Sequence, residues 1–132
     1  MINNLKLGQL GEEIAKDYLQ KKGFEILEHN YKNKYGEIDL VCKDKNSIVF
    51  VEVKTRIGEL FGGPEGSLNK NKVRRLIKNA QAYMIRREPR PYRIDAVCMV
   101  LDQDKRVKRI DHYQNIMLEQ SLSKVYKGMK LI

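Results

Sequence analysis

The chain has 132 residues, enough for one domain built on a single core. Its 26 lysines and arginines stand against 17 aspartates and glutamates, a formal charge of +9. That surplus favours an anionic partner, nucleic acid first and a membrane surface as the competing reading. No apolar run approaches the roughly 20 residues that span a bilayer, and no signal peptide opens the chain, so a cytoplasmic, non-membrane protein is expected.

Met1 to about Lys22 has the period of an amphipathic helix. Leu7, Leu10, Ile14 and Tyr18 recur at helical spacing with Gly11 and Ala15 in the same stripe, and Gly23 follows as the stop. Glu12 falls at the edge of the stripe, where a boundary glutamate that reaches into water is the plain expectation. Phe24 to His29 alternates as a first strand, and Asn30 to Tyr35 reads as a polar turn. His29 has no second histidine at ligand spacing and is expected near the surface.

Two β-branched runs then flank a polar turn: Gly36 to Cys42, and Ile48 to Arg56. The pattern is a β-hairpin. Side chains alternate, so Ile48, Phe50, Glu52 and Lys54 share one face and Val49, Val51 and Val53 the other. With Asp44 to Ser47 as the loop, Lys43 pairs with Ile48, Val41 with Phe50, and Asp39 with Glu52. Two opposed carboxylates cost roughly 0.2–1 kcal/mol. A hard divalent cation between them reverses the sign. Charges gathered at the solvated end of an ordinary hairpin are the other reading of the same spacing.

Ile57 to Leu68 holds four glycines and a proline and reads as a loop beside Lys54, either a lid or a plain connector. Asn69 to about Arg87 is a second amphipathic helix, with Val73, Leu76, Ile77, Ala80 and Met84 on its buried side. Lys70, Lys72, Arg74, Arg75 and Lys78 crowd the rest, with no acidic residue before Glu88. Such a one-sign surface suits phosphates. Pro89-Arg90-Pro91 breaks the helix, Tyr92 to Leu101 alternates as a strand, and Arg106 to Tyr113 follows as another. Arg93 and Asp95 share a face, either as a structural ion pair or as support for a site. Cys42 and Cys98 sit in apolar strand patterns and read as buried thiols. From Gln114 a short terminal helix and basic tail are expected, whose apolar residues are compatible with a homodimer.

The order α-β-β-β-α-β-β implies an α/β domain, a mixed central sheet flanked by helices. Asp39, twelve intervening residues and Glu52-Val53-Lys54 resemble the PD-(D/E)XK signature of restriction-endonuclease-like nucleases. The fuller string, Gly36-Glu37-Ile38-Asp39-Leu40-Val41 with Phe50-Val51-Glu52-Val53-Lys54-Thr55-Arg56, resembles the YraN family of predicted endonucleases, itself similar to archaeal Holliday junction resolvases. Ile38 stands where the signature's name has proline. Gly8-Gln9-Leu10-Gly11-Glu12 before Gly23-Phe24 matches the helix-1 glutamate context of the resolvase-like nucleases.

The resemblance implies a restriction-endonuclease-like fold over the whole chain. It also implies an endonuclease acting on DNA, branched forms included, with Glu12, Asp39 and Glu52 as ligands of Mg²⁺ or Mn²⁺. The carbonyl after Glu52 is a further donor, and Lys54 orients water and faces the phosphate. Arg56 joins the basic residues of the second helix as a nucleic-acid contact. A nucleic-acid-binding module without turnover, or a protein whose basic face meets an acidic partner, fits the charge equally.

Overall fold

The computed structural model describes residues 6–60, 62–118 and Val125. Among these residues the elements run in the order α1 (Leu7–Lys21), β1 (Glu25–Asn33), β2 (Gly36–Asp44), β3 (Ser47–Ile57), α2 (Lys70–Met84), β4 (Tyr92–Leu101) and β5 (Val107–Tyr113). The strands lie in sequence order in one sheet. β1, β2 and β3 are antiparallel neighbours, β3 and β4 are parallel, and β4 and β5 are antiparallel. Among the described strands the one parallel pair is the one joined through α2, as a parallel pair needs a long crossover. The sheet is therefore mixed, and the fold is α/β. No helix among the described residues is long and apolar enough to cross a membrane.

Each helix covers one face. Val49 and Val51 pack with Leu40, Cys42, Val97 and Met99 beneath Ala15 and Leu19 of α1. Ile48 and Phe50 pack with Val41, Ile94 and Cys98 beneath Val73, Leu76 and Ala80 of α2. The alternation read from β3 is thus the division between two half-cores, and it puts Glu52 and Lys54 on the α2 side. Cys42 and Cys98 are buried free thiols on opposite faces, so no disulfide joins them. Burial pushes the Cys42 thiol up to about 12, with the Asp95 charge adding to it.

The structure departs from the sequence expectations in three places. The centre of the α1 stripe is Gly11, Ala15 and Leu19, with Leu7, Leu10, Ile14 and Tyr18 at its margins. The small residues occupy the centre because α1 comes so close to β3 that a Cβ at Gly11 would overlap the Thr55 side chain. β1 continues to Asn33 instead of ending at His29. Asn30 sustains it by adopting φ 53°, a left-handed conformation open to asparagine. Pro64–Ser67 forms a short 3-10 helix inside the glycine-rich segment. At the far end, Ile116 N–H donates to Ile94 O at 2.7 Å and Val125 is helical and buried; the rest of the expected terminal helix and tail lies outside the described residues.

Candidate active site

The hairpin register is the expected one. Lys43 faces Ile48, Val41 faces Phe50, and the ladder closes on Asp44 and Ser47 around a two-residue turn. At the other end it stops at Leu40 and Val51, one step short of Asp39 and Glu52. There β2 bends away from β3. Leu40 packs on the α1 side whereas Ile38 and Tyr31 pack on the α2 side, a change of face that falls where Asn30 interrupts the β1–β2 ladder. The bend frees the Val53 N–H, and Asp39 Oδ2 accepts it at 2.7 Å.

Glu52 is buried, 4% exposed, beside Asp39. Burial, then the hydrogen bond with Glu52 and the Glu52 charge, push the Asp39 carboxyl up to about 9. The Val53 N–H pulls it down, and the charge of Glu12 lifts it further. In the absence of a cation the Asp39 carboxyl therefore favours its protonated form at neutral pH.

Glu12 reaches this place from α1, its side chain 15% exposed, with His29 Nε2 3.3 Å from its Oε1. With the Asn30 amide nitrogen turned toward the carboxylates, Asn30 donates to Glu12 Oε1 at 3.0 Å and to Glu37 Oε1 at 3.2 Å. The glutamate at the edge of the helix stripe is thus drawn inward by β1. Sequence spacing gives no sign of the His29 contact, which joins the middle of β1 to α1 across the fold.

Lys54 is half-buried on the same face as Glu52, in register with Cys98 of β4, and makes no ion pair among the described residues. Lys72 behaves differently from the rest of α2. Its Nζ lies 2.9 Å from Glu52 Oε2. That oxygen is buried and accepts no hydrogen bond among the described residues, so the ammonium meets it as an ion pair. Lys72 belongs to the acidic centre instead of the open surface. A helical wheel carries the signal, since Lys72 sits four residues before Leu76 and next to Val73, at the margin of the buried stripe. Lys70, Arg74, Arg75 and Lys78 are exposed. Arg56 is exposed at the end of β3, where it lines a hollow of about 610 Å³ with Leu7, Thr55 and Gly58.

A second charged cluster holds the glycine-rich segment against the same face. Glu65 is fully buried and takes two hydrogen bonds from Arg109, at 2.8 and 3.0 Å, and one from Tyr113 OH at 2.9 Å. Arg109 also binds Glu59 at 2.7 Å and Asp111 at 2.6 Å. A Cβ at Gly63 would press into Glu65 and Arg109, so the glycine is required by the clamp. The lid-like segment is tied down, and sequence reasoning missed its anchor. Arg93, by contrast, pairs with Asp95 at 3.0 Å and Asp44 at 3.1 Å on the α1 side. His112 also binds Asp95, at 2.8 Å. This is a structural network on the opposite face from Glu52.

The donor set of Glu12, Asp39 and Glu52 is all oxygen, which suits Mg²⁺ or Mn²⁺. A buried Glu52 oxygen that accepts no hydrogen bond among the described residues, and an Asp39 carboxyl raised by burial and its acidic neighbours, are what a cation would relieve. As the side chains stand, no group of three acidic, histidine or cysteine residues among those described is arranged to hold a metal. The Lys72 ammonium provides the positive charge.

The model of the "Uncharacterised protein family UPF0102" matches residues 11–99, which contain Glu12, Asp39, Glu52, Lys54 and Lys72. A UPF0102 protein of Caldanaerobacter subterraneus subsp. tengcongensis is 41% identical over 117 residues, 86% of this chain and 96% of its own length. One of Syntrophomonas wolfei is 43% identical over 115 residues, covering 85% and 97%. Another, of Clostridium botulinum, is 48% identical over 84 residues, covering 64% and 68%. The motif string and these matches agree, and the chain belongs to the UPF0102 (YraN) family.

Proposed function

We propose that the protein is a metal-dependent nuclease of the restriction-endonuclease-like (PD-(D/E)XK) fold that hydrolyses phosphodiester bonds, with DNA, branched forms included, as its substrate. The observation that carries this reading is the meeting of Asp39 and Glu52 at a buried point where β2 leaves β3, with Glu12 close enough to act on Asp39. Two carboxyl groups buried side by side, with a third acting on one of them, repel one another, and a cation among them would reverse that sign. Lys54 stands on the same face without an ion-pair partner among the described residues, as a residue reserved for substrate would.

Bound at Glu12, Asp39 and Glu52, Mg²⁺ or Mn²⁺ would supply polarisation of the phosphate and a lowered pKa for water. The chain's own contributions are binding and orientation. Val53 N–H fixes the Asp39 carboxylate, so one oxygen stays turned to the site. Lys54 orients the attacking water, helps to take its proton, and stabilises charge developing on the phosphate oxygens. Lys70, Arg74, Arg75, Lys78 and Arg56 hold flanking phosphates.

A nucleic-acid-binding module without turnover is the second reading, favoured by the Lys72–Glu52 pair, which neutralises the site with no metal. Cleavage separates the two. Single-stranded, duplex, flap and four-way-junction DNA, with structured RNA alongside, are incubated with Mg²⁺ or Mn²⁺ and wild type or Lys54→Ala. The nuclease reading predicts cuts by wild type and loss of cutting in the variant. Binding without cuts on every substrate favours the module.

A further inference from the structure

Lys72 is set apart from the other cations of α2 by where its charge is spent. Its side chain is 29% exposed and its ammonium is held 2.9 Å from a carboxylate that is 4% exposed. Among the described residues Glu52 Oε2 accepts no hydrogen bond, so the ion pair is what offsets the oxygen's loss of water. A pair of this kind is easily traded. Lysine is a point charge on a flexible stem, and Lys72 is anchored in the first turn of α2, where its own N–H is held by Asn69 Oδ1 at 2.9 Å. The backbone can stay fixed while the ammonium swings outward. A divalent cation on Glu52 Oε2 and the Lys72 ammonium cannot share that oxygen, since like charges a few ångströms apart in a buried place repel strongly. The ammonium that leaves would emerge beside Lys70, Arg74 and Arg75, on the surface that faces phosphates.

We propose that Lys72 is a competing counter-ion and positioning residue: it neutralises Glu52 while the acidic site holds no divalent cation, and on cation binding it passes to a phosphodiester oxygen of the nucleic acid. The inference rests on the metal-dependent reading of the site. It couples the two ligands, because the cation releases the amine that grips the substrate.

Calorimetric titration of Mn²⁺ tests it without any need for turnover. Wild type, Lys72→Met, Lys72→Arg and Lys16→Met are compared, the last removing a charge that serves Glu13 on the far side of α1. Loss of the competing ammonium should tighten Mn²⁺ binding by about tenfold in Lys72→Met. Lys72→Arg and Lys16→Met should stay near wild type. Lys72→Gln repeats the comparison should the methionine variant fail to fold, with the same tightening expected. A second readout is the salt dependence of DNA binding in Ca²⁺: the slope for wild type should exceed that for Lys72→Met by about one phosphate's worth, and the two should coincide in chelator. Unchanged or weaker Mn²⁺ binding in Lys72→Met, with wild type still binding, overturns the counter-ion role alone. No Mn²⁺ binding by any of the proteins overturns the metal reading and this inference with it.

Discussion

The Val53 N–H donates to Asp39 Oδ2 at 2.7 Å, replacing the ladder bond that β2 would have made had it stayed beside β3. One hydrogen bond thus both ends the hairpin ladder and turns a carboxyl group toward Glu52. A backbone donor left bare at that depth would cost about 1–3 kcal/mol, so the carboxyl is held in place by the sheet itself.

Asp39→Asn tests the electrostatics of the metal-free protein. The raised pKa of Asp39 means that its contribution to stability is fully present below the ordinary 3.8 and is lost as pH rises through about 9. Asparagine can accept from Val53 and donate to Glu52 but cannot ionise. In chelator at pH 8 the variant should be more stable than wild type by roughly 1–3 kcal/mol, the gap closing toward pH 4. Urea midpoints at the two pH values measure it, and a variant less stable at pH 8 would contradict the arrangement.

Gly11→Ala tests the approach of α1. The new methyl group meets Thr55 Oγ1 and Cβ, so helix and strand must separate. The expected loss is roughly 1–3 kcal/mol of stability. Because Glu12 is the next residue, Mn²⁺ affinity should fall too. Wild-type affinity in the alanine variant would remove Glu12 from the ligand set.

Arg109→Ala would leave Glu65 buried without its cation, costing ~3 kcal/mol or more. Burial alone would raise the Glu65 pKa, but the hydrogen bonds from Arg109, with Tyr113 assisting, hold it below its ordinary 4.5. A depressed carboxyl contributes stability that is present above 4.5 and lost as pH falls through the folded value. Wild type should therefore lose stability in acid faster than Glu65→Gln. Parallel acid titration curves for the two would show that the clamp is not electrostatic.

Arg74 and Arg75 are exposed on α2, and among the described residues Arg74 binds no acid and donates to Asn71 Oδ1 at 3.3 Å. Replacing both with alanine should weaken DNA binding at every sequence alike and reduce the slope of log K against log salt by about two. Fluorescence anisotropy at several salt concentrations reads this directly. An unchanged slope would place the nucleic acid on another face.

The hairpin register was legible because a strand's two-residue period leaves one pairing that buries Val49 and Val51 together, and because Lys45-Asn46 is a short turn. β4 is readable over its whole length, Tyr92–Leu101, because a nearly continuous apolar run after Pro91 suits a central strand, and the strand is indeed buried on both faces. What escaped were features made by distant parts of the chain. The left-handed Asn30 hides in a polar stretch that resembles a turn. The Arg109–Glu65 clamp joins residues 44 apart whose charges look ordinary in the text. Lys72 was read with its basic neighbours, since nothing local says that its side chain reaches β3.

The most direct measurement is the Mg²⁺-dependent cleavage of four-way-junction and duplex DNA by wild type beside Asp39→Ala and Glu52→Ala, each variant first matched to wild type by circular dichroism. Cutting by wild type that disappears in both folded variants is the expected result. Cutting that persists in both would contradict the placement of the reaction at Asp39 and Glu52.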